Sequence, residues 1–142
     1  MCGFGDRDTL LPMSIAHNSR LVAIVDDDES VRSGLQDLVE SAGLSALSFG
    51  SAEQFLDSDA RQTAVCVIAD IRMPGMSGLE LQETLKAEEC RIPIIFITAH
   101  GDEHRIHVMR NGALGFLTKP FDDSVLLETI QSAQQGLKGE TK

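Results

Sequence analysis

Asp26, Asp27 and Asp28 directly follow the apolar run Leu21 to Val25, and Asp70 directly follows a second apolar run, Val65 to Ala69. Thr98 closes the β-branched and aromatic run that starts at Ile94, and Lys119 lies just beyond the short run Gly115 to Leu117. If each run is a strand of one parallel sheet, these polar groups arrive together at the carboxyl edge, where open α/β sheets bind ligands. Carboxylates held within a few ångströms repel one another, so one must take up a proton or a cation must enter. Magnesium suits such a place, because it is held by one or two carboxylates, several waters and a phosphate oxygen. Calcium would want more ligands than the sequence offers. An ionised carboxylate is already a nucleophile, so Asp70 can attack a phosphoryl group and form an acyl phosphate without a general base. The metal and Lys119 would neutralise the phosphoryl oxygens, and the Thr98 hydroxyl would donate to one of them. Singly, each residue has a plainer reading, since an Asp after a strand is often a helix cap and a Lys-Pro is often only a loop. Convergence from four strands is what favours a site.

The elements that must position these residues alternate between short apolar runs and helical patterns, which predicts βαβ units and a parallel sheet with five strand-helix pairs. Leu21 to Val25 is continuous, as a strand covered on both faces should be. Val31, Leu35, Leu38 and Ala42 form one helical stripe that closes at Gly43. A strand is expected over Ser45 to Phe49, then a helix capped by Ser51 and carrying Phe55 and Leu56, then the strand ending at Ala69. Arg72 to Gly78 is a loop by its Pro74-Gly75 pair, followed by a helix from Leu79 with Leu81 and Leu85 inward. Pro93 opens the fourth strand, Asp102 to Arg110 reads as a helix ended by Asn111-Gly112, and the last helix starts near Asp122 with Val125, Leu126, Leu127 and Ile130 inward. The polar residues from Gln131 read as a fraying end or the start of a linker. Residues 1 to 20 lack a period and read as a flexible lead, of which the first twelve read either as an overlong start or as residues not native to the protein.

With 142 residues, 42% of them hydrophobic, the chain suits one domain with one core. A net charge of -10 argues against a nucleic-acid partner for this domain, since that affinity comes from clustered Lys and Arg. Cys2, Cys66 and Cys90 show no CxxC spacing, and Cys66 falls in a buried strand, which fits a reducing cytoplasm. No run approaches the ~18 apolar residues of a membrane span, the N-terminus lacks a signal-peptide pattern, and Cys2 stands where N-myristoylation needs glycine. His100, His104 and His107 have helical spacings that could hold zinc, but a third strong ligand is lacking and a solvated face is the favoured reading. Met73 and Met76 flank Pro74-Gly75 and should pack over the sheet edge, and Gly3-Phe4-Gly5 is too short for a phosphate loop.

Val25-Asp26-Asp27-Asp28, Ala69-Asp70-Ile71-Arg72-Met73-Pro74-Gly75-Met76-Ser77-Gly78, Ile97-Thr98-Ala99 and Phe116-Leu117-Thr118-Lys119-Pro120 together resemble the motif set of response-regulator receiver domains, over about residues 21 to 137. The resemblance implies a flavodoxin-like, doubly wound five-stranded parallel sheet of order 2-1-3-4-5 with helices on both faces, and leaves 138 to 142 as a tail. It implies that Asp27 binds Mg2+ directly and Asp26 chiefly through water, with Asp70 and the backbone carbonyl of Arg72 as further ligands. It makes Asp70 the phosphoacceptor, Thr98 and Lys119 the phosphoryl-binding residues, Asp28 a cap, Thr98 and Phe116 the switch pair, and the Lys119-Pro120 peptide cis. Phe116 has no hydroxyl, so its switching would be by ring packing, with the ring turning inward on phosphorylation. Arg72 and His100 border the approach of the water that would hydrolyse the acyl phosphate.

The implied partners are a sensor histidine kinase and a second copy, docked through the face of the fourth helix, fifth strand and fifth helix, with neither membrane nor direct DNA binding. Asp26-Asp27-Asp28-Glu29-Ser30-Val31-Arg32 and Phe116-Leu117-Thr118-Lys119-Pro120-Phe121 are most similar to receivers that precede helix-turn-helix output modules, which implies transcription regulation. One rival is a magnesium-dependent phosphohydrolase with an Asp nucleophile, but such enzymes place an acid two residues later, where this chain has Arg72. The other is a receiver-like interaction module without phosphorylation, against which the joint presence of Asp26, Asp27, Asp70, Thr98 and Lys119 argues.

Overall fold

The computed structural model describes residues 20 to 99 and 104 to 139. The elements run β1 (Leu21–Val25), α1 (Glu29–Ser41), β2 (Ser45–Phe49), α2 (Ala52–Leu56), α3 (Ala60–Thr63), β3 (Cys66–Ala69), α4 (Gly78–Ala87), β4 (Ile94–Thr98), α5 (Arg105–Arg110), β5 (Gly115–Thr118) and α6 (Asp123–Gly139). The strands form one sheet in the order β2-β1-β3-β4-β5, and every pair is parallel. Sequence and structure therefore agree on the doubly wound arrangement.

Side chains alternate across a strand, so a sheet covered on both faces builds two cores. Ala23, Val25, Val67, Ala69 and Phe96 face one way and meet Phe55, Leu81, Leu85 and Val108 of α2, α4 and α5. Val22, Ile24, Ile68, Ile95 and Ile97 face the other way and meet Leu35 and Val39 of α1 and Leu126, Ile130 and Ala133 of α6. Phe49 and Phe55 add an edge-to-face contact at 5.6 Å that ties α2 to β2.

Several expectations shift at this level. The inward face of α1 is Leu35 and Val39, with Val31 and Leu38 flanking it, while Ala42 caps the helix and is exposed. In α6 Val125 points outward, because four apolar residues in nearly unbroken sequence cannot share one helical stripe. The single turn α3 was not anticipated; four residues are too few to show a period, and only Ala60 buries. The residues from Gln131 continue α6 as far as Gly139, held by the buried Ala133, so they are helix and no fraying end. The helix expected from Asp102 is described from Arg105 onward, and the N-terminal lead lies outside the described residues except for Arg20.

Candidate functional site

The acids sit where the sheet ladder ends. The Asp26 amide donates to the Phe49 carbonyl at 3.1 Å and the Asp70 amide to the Val25 carbonyl at 3.2 Å, so both backbones stay locked in register one residue past their strands. Asp26 is 3% exposed and Asp70 9% exposed, whereas Asp27 faces solvent. One carboxylate oxygen from each of Asp26, Asp27 and Asp70 lies within 4.8 Å of the others, the arrangement a divalent cation needs. Lys119 directly follows β5 and reaches the acids, with Nζ 3.3 Å from Asp70 Oδ2 and 3.5 Å from Asp26 Oδ2. The Lys119-Pro120 peptide is cis, as expected, and the Lys119 amide donates to the Thr98 carbonyl at 2.8 Å. Thr98, fully buried, ends β4 at the same edge.

Backbone and side-chain hydrogen bonds hold these groups in place. Asp26 Oδ1 accepts from the Asp28 amide at 2.9 Å, and Arg32 Nη1 donates to the Asp26 carbonyl at 2.8 Å. Asp28 caps α1 by accepting from the Ser30 and Val31 amides, which is the cap role expected of it. The Arg72 amide donates to Asp70 Oδ1 at 3.2 Å, so the loop leaving β3 folds back over the carboxylate. Ser77 and Glu80 form a reciprocal capping box that starts α4 at Gly78, one residue before the start expected from Leu79.

Charge crowding shows in the titration of the site. Burial raises the Asp26 carboxyl above the usual carboxylate range; the Asp28 amide and Lys119 oppose this, and the charges of Asp70 and Asp27 reinforce it. Burial alone would lower Lys119, but Asp26 and Asp70 outweigh it and hold the ammonium above its ordinary range. A carboxyl raised in the folded state contributes stability that is present below the unfolded value and is lost as pH rises through the folded one. Ionised Asp26 therefore opposes folding at neutral pH. Asp26→Asn should raise the melting temperature of the metal-free protein by a few degrees, the shift that about 1 kcal/mol produces in a domain of this size. It should also remove the fall in stability that Asp26 contributes as pH rises through its folded value. Thermal melts of both proteins from pH 3 to 8 check this, and an Asn variant that melts lower at pH 7 would contradict it.

A family model described as the response regulator receiver domain matches residues 22–131. The chain belongs to that family. Nodulation protein W of Bradyrhizobium diazoefficiens is 41% identical to this receiver over 121 residues, covering 84% of this chain and 53% of the relative. Transcriptional regulatory protein FixJ of Azorhizobium caulinodans is 39% identical over 127 residues, covering 85% of this chain and 60% of the relative. The receiver chain thus spans about half the length of the curated relatives it matches. The crystal structure titled FixJ-N superposes with a TM-score of 0.74 at 37% identity, covering 82% of this chain and 94% of that one.

The other candidates separate cleanly in the receiver fold. Among the described residues, the only group of three or more acids, histidines or cysteines placed to share a metal is Asp26, Asp27 and Asp70. His104 and His107 belong to no such group; His107 Nε2 faces the Asn111 amide nitrogen at 3.3 Å, and His100 lies outside the described residues. Met73 is buried and Met76 packs against the same core, as expected. Cys66 is a buried strand residue whose thiol burial pushes up to about 12, so it is inert. Cys2 and Gly3-Phe4-Gly5 lie outside the described residues.

The structure locates the aromatic ring that the resemblance implies as part of the switch pair. Phe116 is 5% exposed and packs against the core containing Phe96 and Val108, with the Arg105 guanidinium 5.6 Å from its ring centroid. In this structure the ring lies inward.

Two contacts were not foreseen. Glu53 of α2 accepts from the Met76 amide in the loop after Asp70, and buried Gln82 of α4 donates to the Val108 carbonyl of α5. Both join residues more than twenty positions apart, which no local pattern signals.

Proposed function

We propose that this receiver takes a phosphoryl group onto the Asp70 carboxylate from a phosphohistidine of a sensor kinase and thereby switches an output domain. The observation that carries the proposal is the convergence of Asp26, Asp27, Asp70 and Lys119 within a few ångströms at the sheet edge. Asp27 directly, Asp26 through water, Asp70 and the Arg72 carbonyl would hold Mg2+, which when bound neutralises phosphoryl oxygens. A carboxylate oxygen of Asp70 attacks phosphorus, the P–N bond breaks, and the imidazole leaves with the electron pair. Lys119, freed from its pairing with Asp70 as that carboxylate becomes an acyl phosphate, turns its ammonium onto the phosphoryl oxygens. The Thr98 hydroxyl donates to another oxygen, and that demand couples the chemistry to β4 and to Phe116 on the neighbouring strand. Phosphorylation would then shift the α5-β5-α6 face between two pre-existing arrangements, altering how Phe116 and Arg105 pack. Ile106, 67% exposed, with Met109 and Val125 supplies apolar surface on that face for a second copy. Arg72 would shield the acyl phosphate from water.

The unit that performs this spans residues 21 to 137. Among the described residues no helix is long and apolar enough to cross a membrane. We place the receiver in the cytoplasm, without direct nucleic-acid contact, and assign its output to transcription, by similarity to the transcriptional regulatory protein FixJ. Arg72 stands where a hydrolase of this chemistry would carry its acid, which disfavours turnover of external phosphate esters.

Incubation with acetyl phosphate should add the mass of one phosphoryl group only when Mg2+ is present, read by intact-mass spectrometry. Equal labelling in excess chelator would remove the metal from the proposal.

A further inference from the structure

The loop from Arg72 to Ser77 joins the phosphoacceptor strand to α4, and its shape decides where the Arg72 carbonyl points. Its two ends are held locally. At the start, the Arg72 amide donates to Asp70 Oδ1 at 3.2 Å. At the finish, the Gly78 amide donates to the Ile71 carbonyl at 2.8 Å, and the Ser77 amide donates to Glu80 Oε1 at 3.0 Å. The apex is held from outside. The Met76 amide donates at 3.1 Å to Oε2 of Glu53, which belongs to α2, 23 positions earlier.

The loop makes a seat for that carboxylate. Gly75 adopts φ 74°, a conformation open chiefly to glycine, and a Cβ on it would lie 3.0 Å from Glu53 Oε2. Glu53 is also well anchored. Ser51 Oγ caps its helix by accepting from the Gln54 amide, and Ala52 and Phe55 on either side of it are fully buried. An acid on a fixed helix thus closes the loop against a backbone N–H, a charge-assisted contact.

We infer that Glu53 is a positioning residue for the metal site: by holding the Met76 amide it keeps the loop in the arrangement that presents the Arg72 carbonyl to Mg2+. This rests on the proposed ligand set. Glu53 touches neither the metal nor the phosphoryl group, so its effect is on how tightly Mg2+ binds and leaves the rate at saturating Mg2+ alone.

Glu53→Ala removes the acceptor, while Glu53→Gln keeps an amide oxygen in its place and discards the charge. In the metal-free protein, the Met76 amide should exchange with solvent faster in Glu53→Ala and at close to the wild-type rate in Glu53→Gln. By calorimetry, the Mg2+ dissociation constant should rise about three- to tenfold in Glu53→Ala, the share expected of one solvent-exposed hydrogen bond, and largely recover in Glu53→Gln. Labelling by acetyl phosphate should slow at low Mg2+ in Glu53→Ala and reach the wild-type rate at saturation. Unchanged Mg2+ affinity in Glu53→Ala overturns the inference. A Glu53→Gln protein as weak as Glu53→Ala overturns it too, because the effect would then be one of distant charge. Asp27→Asn is the control for the underlying reading: if it binds Mg2+ as well as wild type, the ligand set is wrong, and the Met76 exchange rates alone decide whether Glu53 holds the loop.

Discussion

Gly78→Ala should cost this receiver about 3 kcal/mol or more, because it forces a methyl group into a backbone that has nowhere to go. A Cβ on Gly78 would lie 2.3 Å from the Asp70 carbonyl oxygen and 2.9 Å from the Ile71 Cα. Real contacts of that kind do not occur, and neither atom belongs to a side chain that can rotate away. The Gly78 amide also donates to the Ile71 carbonyl at 2.8 Å, so the close approach of α4 to the end of β3 is itself hydrogen-bonded. Two responses are open to the variant. The first turn of α4 lifts off, losing the Ser77–Glu80 capping box and some burial of Leu81, or the Asp70 backbone tilts and carries its carboxylate out of register with Lys119. Both lower stability, and the second also removes phosphoryl acceptance. The melting temperature should fall by about 10 °C or more. Gly34→Ala is the internal comparison: Gly34 lies in α1 with nothing within 4 Å of a Cβ, so the change should stabilise by roughly 0.5–1 kcal/mol through helix propensity. Thermal and urea melts of both variants check the pair. A Gly78→Ala protein that melts within 2 °C of wild type, a margin below the effect of about 1 kcal/mol, would contradict the account.

That a glycine nine residues from the last strand residue of β3 should matter so much was not visible in the order of residues. Gly78 stood at the end of a recognisable motif, but the reason for glycine there is a backbone approach that only the packed sheet and helix reveal. The same holds for Glu53, whose partner is 23 positions away. By contrast, Asp26, Asp70, Thr98 and Lys119 could be placed at one edge from the residues alone. Each abuts an apolar run, and in a parallel sheet every strand ends at the same side. Helix faces were less legible where apolar residues were abundant. Val125 is exposed while the adjacent Leu126 is buried, and Val39 takes the core position that simple spacing gave to Ala42. Burial between elements makes that choice, and composition within one element does not. Phe116 belongs with these cases: its placement in the core, with the Arg105 guanidinium 5.6 Å from its ring centroid, is a packing between elements that no local pattern signals.

The second large effect concerns Asp70. Its carboxylate is one of two acids within reach of Lys119, and Asp26, the other, is the more buried and is raised toward its protonated form by that burial. Asp70 is the more exposed of the pair to an incoming phosphoryl group, and an amide in its place can neither attack phosphorus nor carry an acyl phosphate. Asn is close in shape, so the fold should persist and the loss should be chemical. The decisive measurement is intact-mass spectrometry of wild type and Asp70→Asn after incubation with acetyl phosphate and Mg2+. One added phosphoryl group is expected on the wild type and none on Asp70→Asn, whereas an Asn variant labelled as fully as the wild type would contradict phosphoryl transfer to Asp70.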